Sequence, residues 1–110
     1  MREYELALIV HPRAEPELVT SIAETVTGII TEAGGEVHRV GQLADGSGNI
    51  VERPEGDWRK SKLAYPIQKQ LEGYYLFFQT AVNPDILPTL ERNLRLNESV
   101  IRHLFVRLDH

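Results

Sequence analysis

The residues with the most chemistry to offer lie within one short stretch, Trp58-Arg59-Lys60-Ser61-Lys62-Leu63-Ala64-Tyr65-Pro66-Ile67, with Gly73-Tyr74-Tyr75-Leu76-Phe77-Phe78 close behind it. Three cations beside a Trp, followed by an aromatic run of β type, suit a surface that grips phosphates and stacks on flat groups. If the stretch is a strand, alternation puts Lys60 and Lys62 on one face and Arg59 on the other. The same cations equally suit an edge strand, where Lys and Arg block edge-to-edge pairing. Both readings stand at this level. Among Tyr65, Tyr74, Tyr75, Phe77 and Phe78, alternation turns only one set outward, so one or two are expected at a surface able to stack on bases. Arg102 and Arg107 interrupt the apolar last segment and are expected on an open sheet face or its rim.

Other chemistries find little support. His11, His38, His103 and His110 show no metal-ligand spacing, and no Glu-x-x-His pattern occurs. No Gly-rich loop joins a strand to a helix as a phosphate cradle requires: Gly46 and Gly48 sit in a turn-rich stretch, and Gly34-Gly35 follow a helical pattern. Ser21, Ser47, Ser61 and Ser99 lack the context of a nucleophile elbow. The chain has no cysteine, which removes disulfides, thiolate zinc sites and cysteine nucleophiles together. The expectation is a protein that binds and does not catalyse, with neither cofactor nor metal.

Positioning these residues requires a scaffold, and hydrophobic periodicity supplies one. Tyr4, Leu6, Leu8 and Val10 alternate as in a strand with one buried face, closed by His11-Pro12. Leu18, Ile22, Val26, Ile29 and Ala33, with Val19, Ala23 and Ile30 alongside, form a helical stripe. Pro16 between two glutamates fits its first turn, and Gly34-Gly35 its stop. Residues 36–40 read as a short second strand. Residues 41–57 carry turn chemistry at Asp45-Gly46-Ser47-Gly48-Asn49 and Pro54-Glu55-Gly56-Asp57, a surface insertion with room for a small hairpin through Ile50-Val51. Residues 58–67 resume as a strand. Pro66 cannot donate to a ladder, which places that strand at a sheet edge. Residues 68–73 are read as a turn and 74–82 as the strongest strand. Asn83-Pro84-Asp85 opens a second helix bearing Ile86, Leu87, Leu90 and Leu94; with Asp85 as cap, Pro88 falls harmlessly in the first turn. Residues 99–108 form the last strand. The order βαββαβ predicts one α+β domain over 1–110, ferredoxin-like, with two helices on one face of a four-stranded antiparallel sheet.

At 110 residues the chain suits one domain with its own core. It holds no apolar run near the roughly 20 residues of a membrane span and opens without an apolar signal segment, so the expected setting is cytoplasmic. Its net charge of −4 argues weakly against nucleic acid. The distribution argues otherwise. Residues 1–57 carry 4 Arg/Lys against 11 Asp/Glu, a net of −7, and residues 58–110 carry 8 against 5, a net of +3. Such asymmetry leaves room for a positive face on an acidic protein.

Met1-Arg2-Glu3-Tyr4-Glu5 leading to Ile9 and Pro12, Leu63-Ala64-Tyr65-Pro66-Ile67 with Gly73-Tyr74-Tyr75, and Leu90-Glu91-Arg92-Asn93-Leu94 through Asn97-Glu98 and Val100-Ile101-Arg102 resemble the bacterial small-subunit ribosomal protein six family. The likeness runs over nearly the whole chain apart from 41–57. It implies a non-catalytic constituent of the small ribosomal subunit, binding the central domain of the small-subunit ribosomal RNA together with ribosomal protein eighteen. Carried onto this chain, it makes Arg2, Lys60, Lys62 and Arg102 candidates for phosphate contact, with Tyr65 beside them. The acidic front half would complement a basic protein neighbour. The family usually reads Trp-Gly-Lys-Arg-Lys-Leu where this chain has Arg59 and Ser61, so one cation is lost and another gained on the opposite strand face. The alternatives are a ferredoxin-like regulatory domain that binds a metabolite, which would need a polar pocket between strand and helix, and a small ferredoxin-like enzyme, which would need a buried His or Asp constellation.

Overall fold

Two split βαβ units interleave in one antiparallel sheet. The structure, a computed structural model, describes residues 1–44, 49–52, 58 and 60–108. Its elements are β1 (Arg2–Val10), α1 (Pro16–Glu32), β2 (Glu36–Ala44), β3 (Asn49–Glu52), β4 (Lys60–Ile67), β5 (Gln70–Val82), α2 (Leu87–Leu96) and β6 (Val100–Arg107). The strands run in the order β3-β2-β5-β1-β6, and β4 also pairs with β5. The stretch β2-β5-β1-β6 is the expected four-stranded ferredoxin-like sheet. β1 lies between β5 and β6, antiparallel to both, so β5 and β6 run parallel as α2 requires; β5 separates β1 from β2 in the same way for α1.

Alternation along β1 and β5 builds the core. Tyr4, Leu6, Leu8 and Val10 of β1 and Tyr74, Leu76, Phe78 and Val82 of β5 are buried in one cluster with Val19, Ile22, Ala23, Val26 and Ile30 of α1 and Leu90 and Leu94 of α2. The α1 stripe is therefore shifted by one residue from the expected one at its start: Leu18 is exposed and Val19 is buried. Pro16 stands in the first turn of α1, as expected. At the other end the Gly34 N–H donates to Thr31 O (3.0 Å) and the Gly35 N–H to Ile30 O (2.9 Å), a Schellman stop with Gly34 at φ 85°.

Several boundaries differ from expectation. β2 does not stop at Val40: it continues to Ala44 and pairs with β3 from Gly41↔Glu52 to Ala44↔Asn49, so the hairpin through Ile50-Val51 exists and extends the sheet. Residues 45–48, 53–57 and 59, with 109–110, lie outside the described residues. The turn expected over 68–73 is only two residues, Gln68 and Lys69 at φ 49° and 67°, and β5 begins at Gln70. The second helix does not take Asp85 as its cap: α2 starts after Ile86 with no side-chain cap, and Asn83 caps the short turn that precedes it. The Asn83 side chain accepts from the Asp85 N–H (3.0 Å) and starts a 3₁₀ turn over Pro84–Ile86, after which Pro88 sits in the first turn of α2. Among the described residues no helix is long and apolar enough to cross a membrane, and no cluster of three or more His, Asp or Glu could hold a metal.

Candidate nucleic-acid interface

The site residues are positioned by the β4–β5 hairpin and by its neighbour strands. Lys60 lies across from Tyr74, and Lys62 across from Glu72. Tyr74 also pairs with Val10 of β1, so both lysines stand at the end of the sheet where β1 finishes. Among the described residues β4 has β5 as its only strand partner, and β2 pairs with a later stretch of β5, from Leu76 to Ala81. The edge placement inferred from Pro66 therefore holds.

Alternation along β4 divides the predicted residues between two faces. Cross-strand partners share a face, and Tyr74 is in the helix-side core, so Lys60 and Lys62 project on the helix side, exposed. Leu63 turns the other way, joining Ile9 and Ile101 in a second apolar cluster with Ile67 and Tyr75 packed against it. Tyr65 stands on this helix-free side. The Arg102 guanidinium donates to its hydroxyl and lies 5.5 Å from its ring centroid, a combined hydrogen bond and cation–π contact. The two residues border a cavity of about 280 Å³ lined by Ala7, Ile9, Leu63, Ile67, Tyr75 and Leu104, with His103 at its rim.

Arg2 is elsewhere. It begins β1 opposite Val82, about 26 Å along the strand from Val10 at 3.3 Å per residue. The structure thus brings together Lys60 with Lys62, and Tyr65 with Arg102, at one end of the sheet but on opposite faces; Arg2 stands at the far end.

Trp58 is not the stacking platform that its basic neighbours suggested. It is buried in the main cluster, among the helix-side core residues. Its indole N–H finds no hydrogen-bond partner among the described residues. Of the other aromatics, Tyr74 and Phe78 are core. Tyr75 and Phe77 face the helix-free side, half-buried and stacked on each other at 5.0 Å and 5°. Arg102 is exposed on that side as expected, while Arg107, across from the core residue Tyr4, is exposed on the helix side and not on the open face.

Two functional candidates were missed. Arg13 and Lys69 line an open groove with Lys60, Lys62, Pro12, Gln70, Leu71 and Glu72. Arg13 is far from the basic stretch in sequence, and Lys69 sits in a turn. Only the pairing of Val10 with Tyr74 reveals that the loop after β1 and the β4–β5 turn are neighbours.

The comparisons with known proteins agree with this architecture. Residues 3–107 match the family described as Ribosomal protein S6. The chain belongs to the ribosomal protein S6 family. It is 35% identical over 109 residues to the small ribosomal subunit protein bS6 of Moorella thermoacetica, covering 99% of this chain and 96% of that protein. The crystal structure of 30S ribosomal protein S6 from Thermotoga maritima superposes with a TM-score of 0.78 at 26% identity, covering 97% of this chain and 87% of that one. As an S6-family protein the chain is a constituent of the small ribosomal subunit in the cytoplasm, and its family is one of structural ribosomal proteins, not of enzymes. The S6 fold expected from the residues is the one observed.

Proposed function

We propose that this chain binds the central domain of the small-subunit ribosomal RNA together with ribosomal protein eighteen, acting by contact alone and without catalysis. The observation that carries the reading is the division of the sheet's β4 end into two unlike surfaces. One is cationic: Lys60 and Lys62 are exposed on the helix side. The other is the helix-free face, where Leu104 and Val106 are 52% and 43% exposed beside half-buried Tyr75 and Phe77. Such cations suit phosphates, and an uncovered apolar sheet face suits a protein neighbour. Arg102 and Tyr65, at the margin of the helix-free face, would contact RNA phosphate and ribose where the partner ends. Arg2, at the opposite end of β1, would make a separate phosphate contact.

A salt-series binding assay with a central-domain RNA fragment, with and without ribosomal protein eighteen, tests the reading. Binding should appear or tighten with the partner present. The Lys60→Ala, Lys62→Ala double variant should lower the salt slope by up to about two. An unchanged slope would assign both lysines to protection of the sheet edge, and no binding at low salt with the partner present would refute the function proposed.

A further inference from the structure

We infer that the groove between the loop after β1 and the β4–β5 turn is a preformed seat for an RNA phosphodiester backbone, in which Arg13 and Lys69 are contact residues and Glu72 limits affinity. This rests on the RNA-binding reading above and extends it to residues and a geometry that reading does not include. The groove, about 600 Å³ in volume, gathers four cations, Arg13, Lys60, Lys62 and Lys69, against one carboxylate, Glu72. All five side chains are exposed, and no ion pair among the described residues engages any of the four cations. A net positive cleft in a chain of net charge −4 is a local feature that only an anionic partner would exploit.

The backbone that carries these cations is fixed. Arg13 sits in a turn closed by its own N–H on His11 Nδ1 (3.0 Å) and by the Ala14 N–H on His11 O (3.0 Å), while the His11 N–H donates to Ser99 O at 2.7 Å. Lys69 is held by the two-residue turn that joins Ile67 to Gln70, and the side-chain amide of Gln68 anchors that turn to Ile101 O at 3.4 Å. Lys60 and Lys62, two residues apart on one strand face, are separated by about 7 Å. Rigid anchors around flexible ammonium groups suit a repeating, sequence-independent anion. The phosphodiester backbone has that character. Glu72 lies directly across from Lys62 on the same strand face, where its charge opposes an incoming phosphate.

The test uses the full chain, ribosomal protein eighteen and a central-domain RNA fragment, with fluorescence anisotropy followed across a potassium chloride series. Arg13→Gln with Lys69→Gln should weaken RNA binding and lower the salt slope by about 1.5, since each lost phosphate contact removes about 0.7–0.9. Glu72→Gln should tighten binding several-fold at low salt, with the gain fading as salt rises. A gain of affinity cannot come from misfolding, so this variant keeps the test sound if the double variant is unstable. Wild-type binding with both variants unchanged would overturn the groove and leave the parent reading intact. Absence of wild-type binding, with partner present, would overturn both. Variants that weaken capture of ribosomal protein eighteen without RNA, yet leave the RNA slope unchanged, would also overturn the proposal, by assigning the groove to an acidic protein segment.

Discussion

Tyr65 and Arg102 meet at one margin of the helix-free face, where the pairing of β4 with β5 shifts register between Lys62 and Ile67 and a bulge at Ile101 of β6 falls between the pairs Ile9–Arg102 and Val10–Val100. Neither irregularity has a sequence signature, so the pairing was not legible, although both residues were. The contact is exposed, and its value should be small. A double-mutant cycle on Tyr65→Ala and Arg102→Ala should give a coupling of about 0.5–1 kcal/mol by chemical denaturation. Coupling near zero would show that the two side chains act independently. Gly73 is a firmer constraint. A Cβ there would stand 2.9 Å from both Val10 O and the Ile9 γ2 methyl, and the former is backbone that cannot swing aside. Gly73→Ala should therefore cost about 1–3 kcal/mol, read as a lower urea midpoint with unchanged m-value. The Gly-Tyr-Tyr signature thus has a steric reason that sequence could mark but not explain.

At the scale of elements, the sequence was most legible where one period governed a whole segment. β1, α1 and β6 lie close to where alternation and the apolar stripe put them, since each buries a single face against the core. It was least legible where tertiary pairing overrode local chemistry. Gln68 and Lys69 are not turn residues by type, yet both adopt left-handed backbone because β4 and β5 are held together by pairing on either side of them. A two-residue hairpin with both φ positive ordinarily uses Asn-Gly. The strain has a use if Lys69 is kept for its charge. Lys69→Gly should then raise stability by about 0.5–1 kcal/mol, the relief of the left-handed conformation less the added freedom of glycine when unfolded. The same variant should lower the RNA salt slope by nearly one. Stabilisation with an unaltered slope would mean that the lysine contributes no phosphate contact.

For the whole molecule, the acidic and basic halves of the sequence translate only partly into space. The cations of the groove gather where β1 ends, while Glu3 and Glu36 flank His38 at the opposite end, with Glu3 3.3 Å from its Nε2. Arg13 belongs to the acidic half by sequence and to the cationic end by structure, because β1 carries it there. The helix-free face is neither acidic nor basic at its centre. Ala7, Ile9, Tyr75 and Leu104 surround its cavity, with Val106 further along β6, and no helix among the described residues covers them. If ribosomal protein eighteen covers that face, a charge placed at its centre should abolish docking without harming the fold. Leu104 is half exposed, so Leu104→Glu should change the stability of the isolated chain by no more than about 0.5 kcal/mol. On association, however, it would bury an unpaired carboxylate, and the partner-dependent part of RNA binding should disappear. Binding of RNA by the cationic end alone should persist, weak and steeply salt-dependent. Normal partner enhancement in the Leu104→Glu protein would move the docking surface off the open face and on to a sheet edge.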